Sequence, residues 1–126
     1  LDYLNARILQ VHDLWHLIGD YHTTKLHEVA ISAFQLAQIG HAYSAMFLAV
    51  VGAAAAKAPP GGATLLFDLI FTAWRHGRRT PPLIATPWET VWDQPIPELR
   101  LALGMTGYPS PYPPDLAEQM ERAQAA

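Results

Sequence analysis

Apolar residues in the first eighteen positions recur at steps of three and four: Leu1, Leu4, Ile8, Val11, Trp15 and Ile18. That spacing returns to one face of an α-helix and predicts an amphipathic helix. Gly19 and Asp20 interrupt it, and Thr23 or Thr24 stands where a hydroxyl would cap a second helix. From Val29 to Ala56 the chain carries no formal charge; Gly40 marks a break inside that stretch, and Ala58-Pro59-Pro60-Gly61-Gly62 ends it. Thr64 then offers a cap for a helix through Trp74, followed by Arg75, Arg78 and Arg79. Thr86-Pro87-Trp88-Glu89 has the cap, first-turn proline and acid of a further helix start. Pro97 to Leu103 predicts a short helix stopped by Gly104, and a polar helix closes the chain from Asp115.

All eleven prolines fall between Pro59 and Pro114. The front half is therefore free to be helical, and the back half must be shorter pieces joined by extended turns. No alternating run and no repeat stands out. The expected class is all-α: a single domain over residues 1–126, with a core over 1–104, a metal-bearing helical hairpin near the N-terminus and a proline-rich tail over 105–126.

The uncharged stretch from Val29 to Ala56 admits three readings: a membrane span, a buried core helix, or a helix lining an apolar ligand groove. Ser32, Gln35, Gln38, His41 and Ser44 interrupt it, and the clean run from Ala42 to Ala56 is 15 residues. A span needs about 20 apolar residues, so the core helix is favoured. Side chains such as Phe34, Met46, Val50, Phe67 and Phe71 would line a groove if there is one, against the plainer expectation of a packed core.

Length and composition narrow the classes. At 126 residues the chain is one ordinary domain. Charged residues are only 15% and the net charge is −3, which argues against disorder and against phosphate-neutralising nucleic-acid binding. With no cysteine, thiolate metal sites, disulfides and thiol catalysis are excluded. No secretory signal is visible, and a start at Leu1 reads as a processed chain or a fragment. The apolar fraction allows a homodimer, though no heptad pattern specifies one.

Histidine is concentrated: His12, His16, His22 and His27, four of the six, fall between His12 and Glu28. His12 and His16 are one helical turn apart and share a face, with Asp13 on the same edge. Glu28 lies one turn into the next helix, where a helical hairpin would bring it opposite the pair. Two imidazoles and a carboxylate projecting together match the ligand set of a divalent transition metal. Other readings stay open at this point. Histidines four apart occur by chance and are often core residues. A zincin protease would carry Glu where Asp13 stands. An HD-type phosphohydrolase needs another histidine well upstream.

His12-Asp13-Leu14-Trp15-His16, followed by Glu28-Val29-Ala30, closely resembles the signature of the coenzyme Q biosynthesis protein 4 family. Phe34, Gln38, Ala73-Trp74-Arg75, Gly77-Arg78, Pro82-Leu83, Trp88-Glu89, Pro95-Ile96 and Leu99-Arg100 continue the likeness, which covers residues 8–104. Three positions depart from the family's habit. Asp20-Tyr21-His22-Thr23 replaces Gly-Tyr-Asp-Thr, and His27 replaces a glycine before Glu28. His22 is expected in solvent; His27 is left undecided.

The resemblance implies an all-α protein of ubiquinone biosynthesis in peripheral contact with a membrane. The face would be cytoplasmic in a bacterium, or the matrix side of the mitochondrial inner membrane in a eukaryote. The implied metal is zinc, with iron and manganese as alternatives, carried by His12, Asp13, His16 and Glu28, which are also the implied catalytic residues. The implied activity is on the head group of a prenylated quinone precursor, with oxidative decarboxylation the reaction class. The alternative is a non-catalytic scaffold for isoprenoid lipid that carries a structural metal and organises other biosynthetic enzymes. Four protein ligands would close a tetrahedral site. Either Asp13 therefore orients a histidine from behind, or the ion takes more than four ligands.

Overall fold

The computed structural model describes residues 2–126 and is all-α, as expected; Leu1 lies outside the described residues. Among the described residues there are six α-helices and no strand: α1 (Asp2–Gly19), α2 (Lys25–Ile39), α3 (Ala42–Ala54), α4 (Gly62–Arg79), α5 (Ile96–Leu103) and α6 (Leu116–Ala125). One-turn 3₁₀ segments follow α3 (Ala55–Lys57) and precede α5 (Trp88–Thr90).

α1 buries Ile8, Val11, Trp15 and Ile18, the stripe set by its spacing. Thr24 caps α2 by accepting from the His27 amide, and Gly40 ends it in the left-handed region at φ 63°. The closest backbone packing is between α2 and α4. Gly77 permits it, since a Cβ there would sit 2.7 Å from the Phe34 carbonyl oxygen. Gln38 fastens the same joint: its Nε2 donates to the carbonyls of Gly77 and Thr80, and its Oε1 accepts from the Leu83 amide. α1 meets α2 through long side chains, with Trp15 edge-on to Phe34 at 5.8 Å between ring centres.

Three helix boundaries differ from the sequence expectation. α4 begins at Gly62 rather than behind Thr64, because Gly61 at φ 87° turns the chain two residues earlier. It also runs past Trp74 to Arg79. The Thr86–Glu89 start yields only a single 3₁₀ turn. Its acid does not cap: Glu89 is drawn into a two-pronged pair with Arg7 of α1, and Arg7 also donates to the Thr86 carbonyl.

Residue 104 is no packing boundary. Met105 and Tyr108 belong to the core, and the tail continues across α2 and α4. Tyr112 donates to Asp68 at 2.7 Å and Thr24 donates to the Pro114 carbonyl at 2.6 Å. The uncharged stretch is two helices, and no described helix is long and apolar enough to cross a membrane.

Candidate metal centre

Three of the four expected ligands converge. His12 Nε2 and His16 Nε2 stand 3.1 Å apart, and the Glu28 carboxylate reaches them at 3.7 and 3.2 Å. Helical spacing puts the two imidazoles on one face, where they meet edge-on, and the Thr24 cap starts α2 where Glu28 falls in its first turn.

Hydrogen bonding decides what these nitrogens can do. His16 Nδ1 lies 3.0 Å from the Tyr21 carbonyl oxygen. A carbonyl only accepts, so Nδ1 carries the proton and Nε2 presents a lone pair. His12 Nδ1 lies 3.2 Å from Gln35 Oε1 and donates to it, which leaves its Nε2 a lone pair as well. Two lone pairs and a carboxylate thus face one another across about 3 Å, a constellation that calls for a cation between them. Donors of an ion held at about 2.0–2.1 Å in tetrahedral geometry stand roughly 3.3–3.4 Å apart, so the donor set fits a divalent transition metal.

Asp13 is not one of the three. It is exposed on the rim, and the groups that orient the imidazoles are Gln35 and the Tyr21 carbonyl. Sequence reasoning missed both. The available signal for Gln35 was a polar residue breaking a long uncharged stretch.

The cluster sits between two cavities. One, of about 830 Å³, is lined by His12, His16, Asp20, Tyr21, Glu28 and Arg100 among others. Arg100 reaches it from α5 while donating to the Ile18 and Leu17 carbonyls at the end of α1. The other, of about 440 Å³, has Ile8, Leu9 and Phe47 beside His12, Gln35 and Ser44.

The remaining histidines of the front half part company. His22 is exposed, as expected. His27 is buried: its Nδ1 accepts from the His22 amide at 2.9 Å, and its ring packs edge-on to Tyr108. Burial, reinforced by His22, pushes its pKa down to about 4. Asp20 adopts φ 57°, a left-handed conformation that Asp tolerates better than most residues. Behind this loop Tyr21 donates to His76 Nδ1 at 2.7 Å, and His76 Nε2 donates to the Thr106 carbonyl at 2.8 Å. Tyr21 also stacks on Tyr108 at 4.5 Å. Burial raises both phenols and lowers His76.

The fold and site define a small all-α protein with a two-histidine, one-glutamate cluster that lines two cavities. The family model of the coenzyme Q (ubiquinone) biosynthesis protein Coq4 matches residues 1–109. The chain belongs to that family. It is 37% identical to the mitochondrial ubiquinone biosynthesis protein COQ4 homolog of Drosophila melanogaster, over 84% of this chain and 39% of that protein. Against the mitochondrial COQ4 of Lachancea thermotolerans it is 33% identical, over 97% of this chain and 36% of the relative. With the Bos taurus homolog it shares 30%, over 86% and 40%. The chain therefore spans about two fifths of the length of these relatives. No solved structure matches it.

Proposed function

We propose that this chain is a metal-dependent enzyme of ubiquinone biosynthesis acting on the head group of a prenylated quinone precursor. What carries the reading is the facing pair of imidazole lone pairs beside Glu28, at the junction of two cavities. His12, His16 and Glu28 would hold the ion, zinc in the first instance. When bound, it would supply a Lewis acid that stabilises negative charge developing on the substrate. Three protein donors leave a position open, as catalytic sites do, whereas a structural site is closed by four.

The chain's own groups divide the remaining work. Arg100 would pair with an aryl carboxylate in the larger cavity, orienting the ring carbon that loses it. Ile8, Leu9 and Phe47 would receive the first prenyl units in the smaller one. Decarboxylation fits this division, the bond from the ring carbon to the carboxylate breaking to release CO2; its oxidative form would in addition consume an external two-electron oxidant such as dioxygen, whose oxygen would take the vacated ring position. A second reading, a lipid-binding scaffold in contact with a membrane and other biosynthetic proteins, draws support from exposed apolar side chains including Tyr43, Met46, Val50, Phe71 and Trp74.

Elemental analysis of untagged protein, paired with quinone content of cells that depend on this chain, tests the proposal. About one equivalent of metal is expected per chain, lost in His16→Ala together with quinone production. A metal-free wild type, or full quinone production in a folded His16→Ala protein, would overturn it.

A further inference from the structure

The two imidazoles of the cluster are oriented by partners of different kinds. His16 Nδ1 faces the Tyr21 backbone carbonyl, which can only accept, so one tautomer is imposed. His12 Nδ1 faces a side-chain amide, which has two orientations. With Oε1 toward His12, Nδ1 is the protonated nitrogen and Nε2 is a donor to metal. With the NH2 group there instead, the proton would move to Nε2, which would then hydrogen bond to the His16 Nε2 lone pair 3.1 Å away. The amide's orientation therefore selects between a ligand and a closed hydrogen bond.

The far side of Gln35 makes that selection. Its Nε2 lies 3.0 Å from His41 Nδ1 and donates to the one lone pair that nitrogen offers; Ser44 Oγ lies 2.9 Å from the same nitrogen. Ser44 is the buried residue of α3, and His41 is the residue that begins it. Gln35 itself is 5% exposed, so an unpaired amide group there would be costly.

We propose that Gln35 is the positioning residue that sets the tautomer of His12, with its own orientation set by His41 at the start of α3. The relay rests on reading His12, His16 and Glu28 as a metal site. It adds that the site's readiness depends on a helix that supplies none of the ligands. Gln35 stands behind His12 from the ion position and acts on the ion through His12.

Two measurements test it: zinc affinity by competition with a chromophoric chelator, and the His12 tautomer by ¹⁵N NMR of the metal-free protein. Wild type is expected to carry its proton on Nδ1. Gln35→Leu should shift it to Nε2 and weaken zinc binding by about 10- to 100-fold, the usual penalty for losing a group that orients a metal-bound histidine. Gln35→Glu, whose carboxylate accepts through either oxygen, should bind zinc at least as tightly as wild type. The sharpest arm is His41→Leu. It should weaken binding about 5- to 10-fold alone, by freeing the amide to turn, and should have no effect in the Gln35→Glu background.

An equal loss in both backgrounds would mean that His41 acts through packing, and the relay would fall. So would a Gln35→Leu protein with the wild-type tautomer and affinity. Should Gln35→Leu fail to fold, the His41→Leu comparison still decides. Should wild type bind no zinc, the metal reading fails by itself, and the tautomer shift alone upholds or overturns the relay.

Discussion

Two groups of histidines in this chain have opposite characters. In the closed group, His76 has both ring nitrogens satisfied, by the Tyr21 hydroxyl and the Thr106 carbonyl, and His27 is sealed between Tyr21 and Tyr108. In the open group, His12 and His16 each have one nitrogen satisfied and turn the other toward its twin. Histidine density does not separate them, and burial does so only in part, since His16 is as buried as His76. Following each proton to its acceptor does. A satisfied imidazole is a core residue, while facing lone pairs beside a carboxylate ask for a cation.

Exchanging damage between the groups should break or sharpen that contrast. The largest effect is expected for Glu28→Gln, which should lower metal affinity by more than about a hundredfold, beyond the loss of an orienting group, while changing stability little. Its counterpart His76→Leu strands the buried Tyr21 hydroxyl and should cost about 2–3 kcal/mol in urea unfolding, with metal affinity held. Similar losses of both properties in both variants would erase the distinction.

Acid gives the next effect. His76 is held below its ordinary pKa, first by burial, so the unfolded chain takes up a proton that the folded one refuses. Its share of stability is full above about pH 6.5 and is lost as pH falls below that value, at no more than about 1.4 kcal/mol per pH unit. Unfolding of chelator-treated protein between pH 7.5 and 5 should show a shallower acid limb in His76→Gln; parallel limbs would refute the assignment. The smallest effect is expected for Ser110→Ala. Its hydroxyl donates to the Tyr112 carbonyl at 2.6 Å and lies 3.4 Å from His27 Nε2, so a loss of about 1 kcal/mol is expected, measurable by the same unfolding curves.

Much of this was legible in sequence because it depends on spacing. The α1 stripe, the Thr24 cap, the Gly40 and Gly104 stops and the convergence of His12, His16 and Glu28 all follow from one helical period and local turn chemistry. What was not legible depends on partners far along the chain. Glu89 looks like a helix-starting acid until Arg7, 82 residues away, takes it. Asp13 looks like a ligand by adjacency, but a peptide carbonyl and an amide orient the imidazoles, and a carbonyl has no sequence signature. Ser32, Gln35, Gln38, His41 and Ser44 were visible only as interruptions of an apolar stretch. Gln35, His41 and Ser44 behind His12, and Gln38 at the α2–α4 joint, turn out to hold the polar wiring of the domain.

Helix α3 buries one residue, a serine, and keeps Phe47, Leu48 and Val51 only half covered. A segment with so little apolar anchorage is expected low on the molecule's ladder of local unfolding, below α2 and α4. Its amides should exchange with solvent deuterium through openings that leave the rest of the domain intact. Each such opening also unroofs the smaller cavity, since Tyr43, Ser44 and Phe47 form one of its walls. Entry to that cavity from this side would then depend on a weakly anchored helix and not on the scaffold that carries the imidazoles.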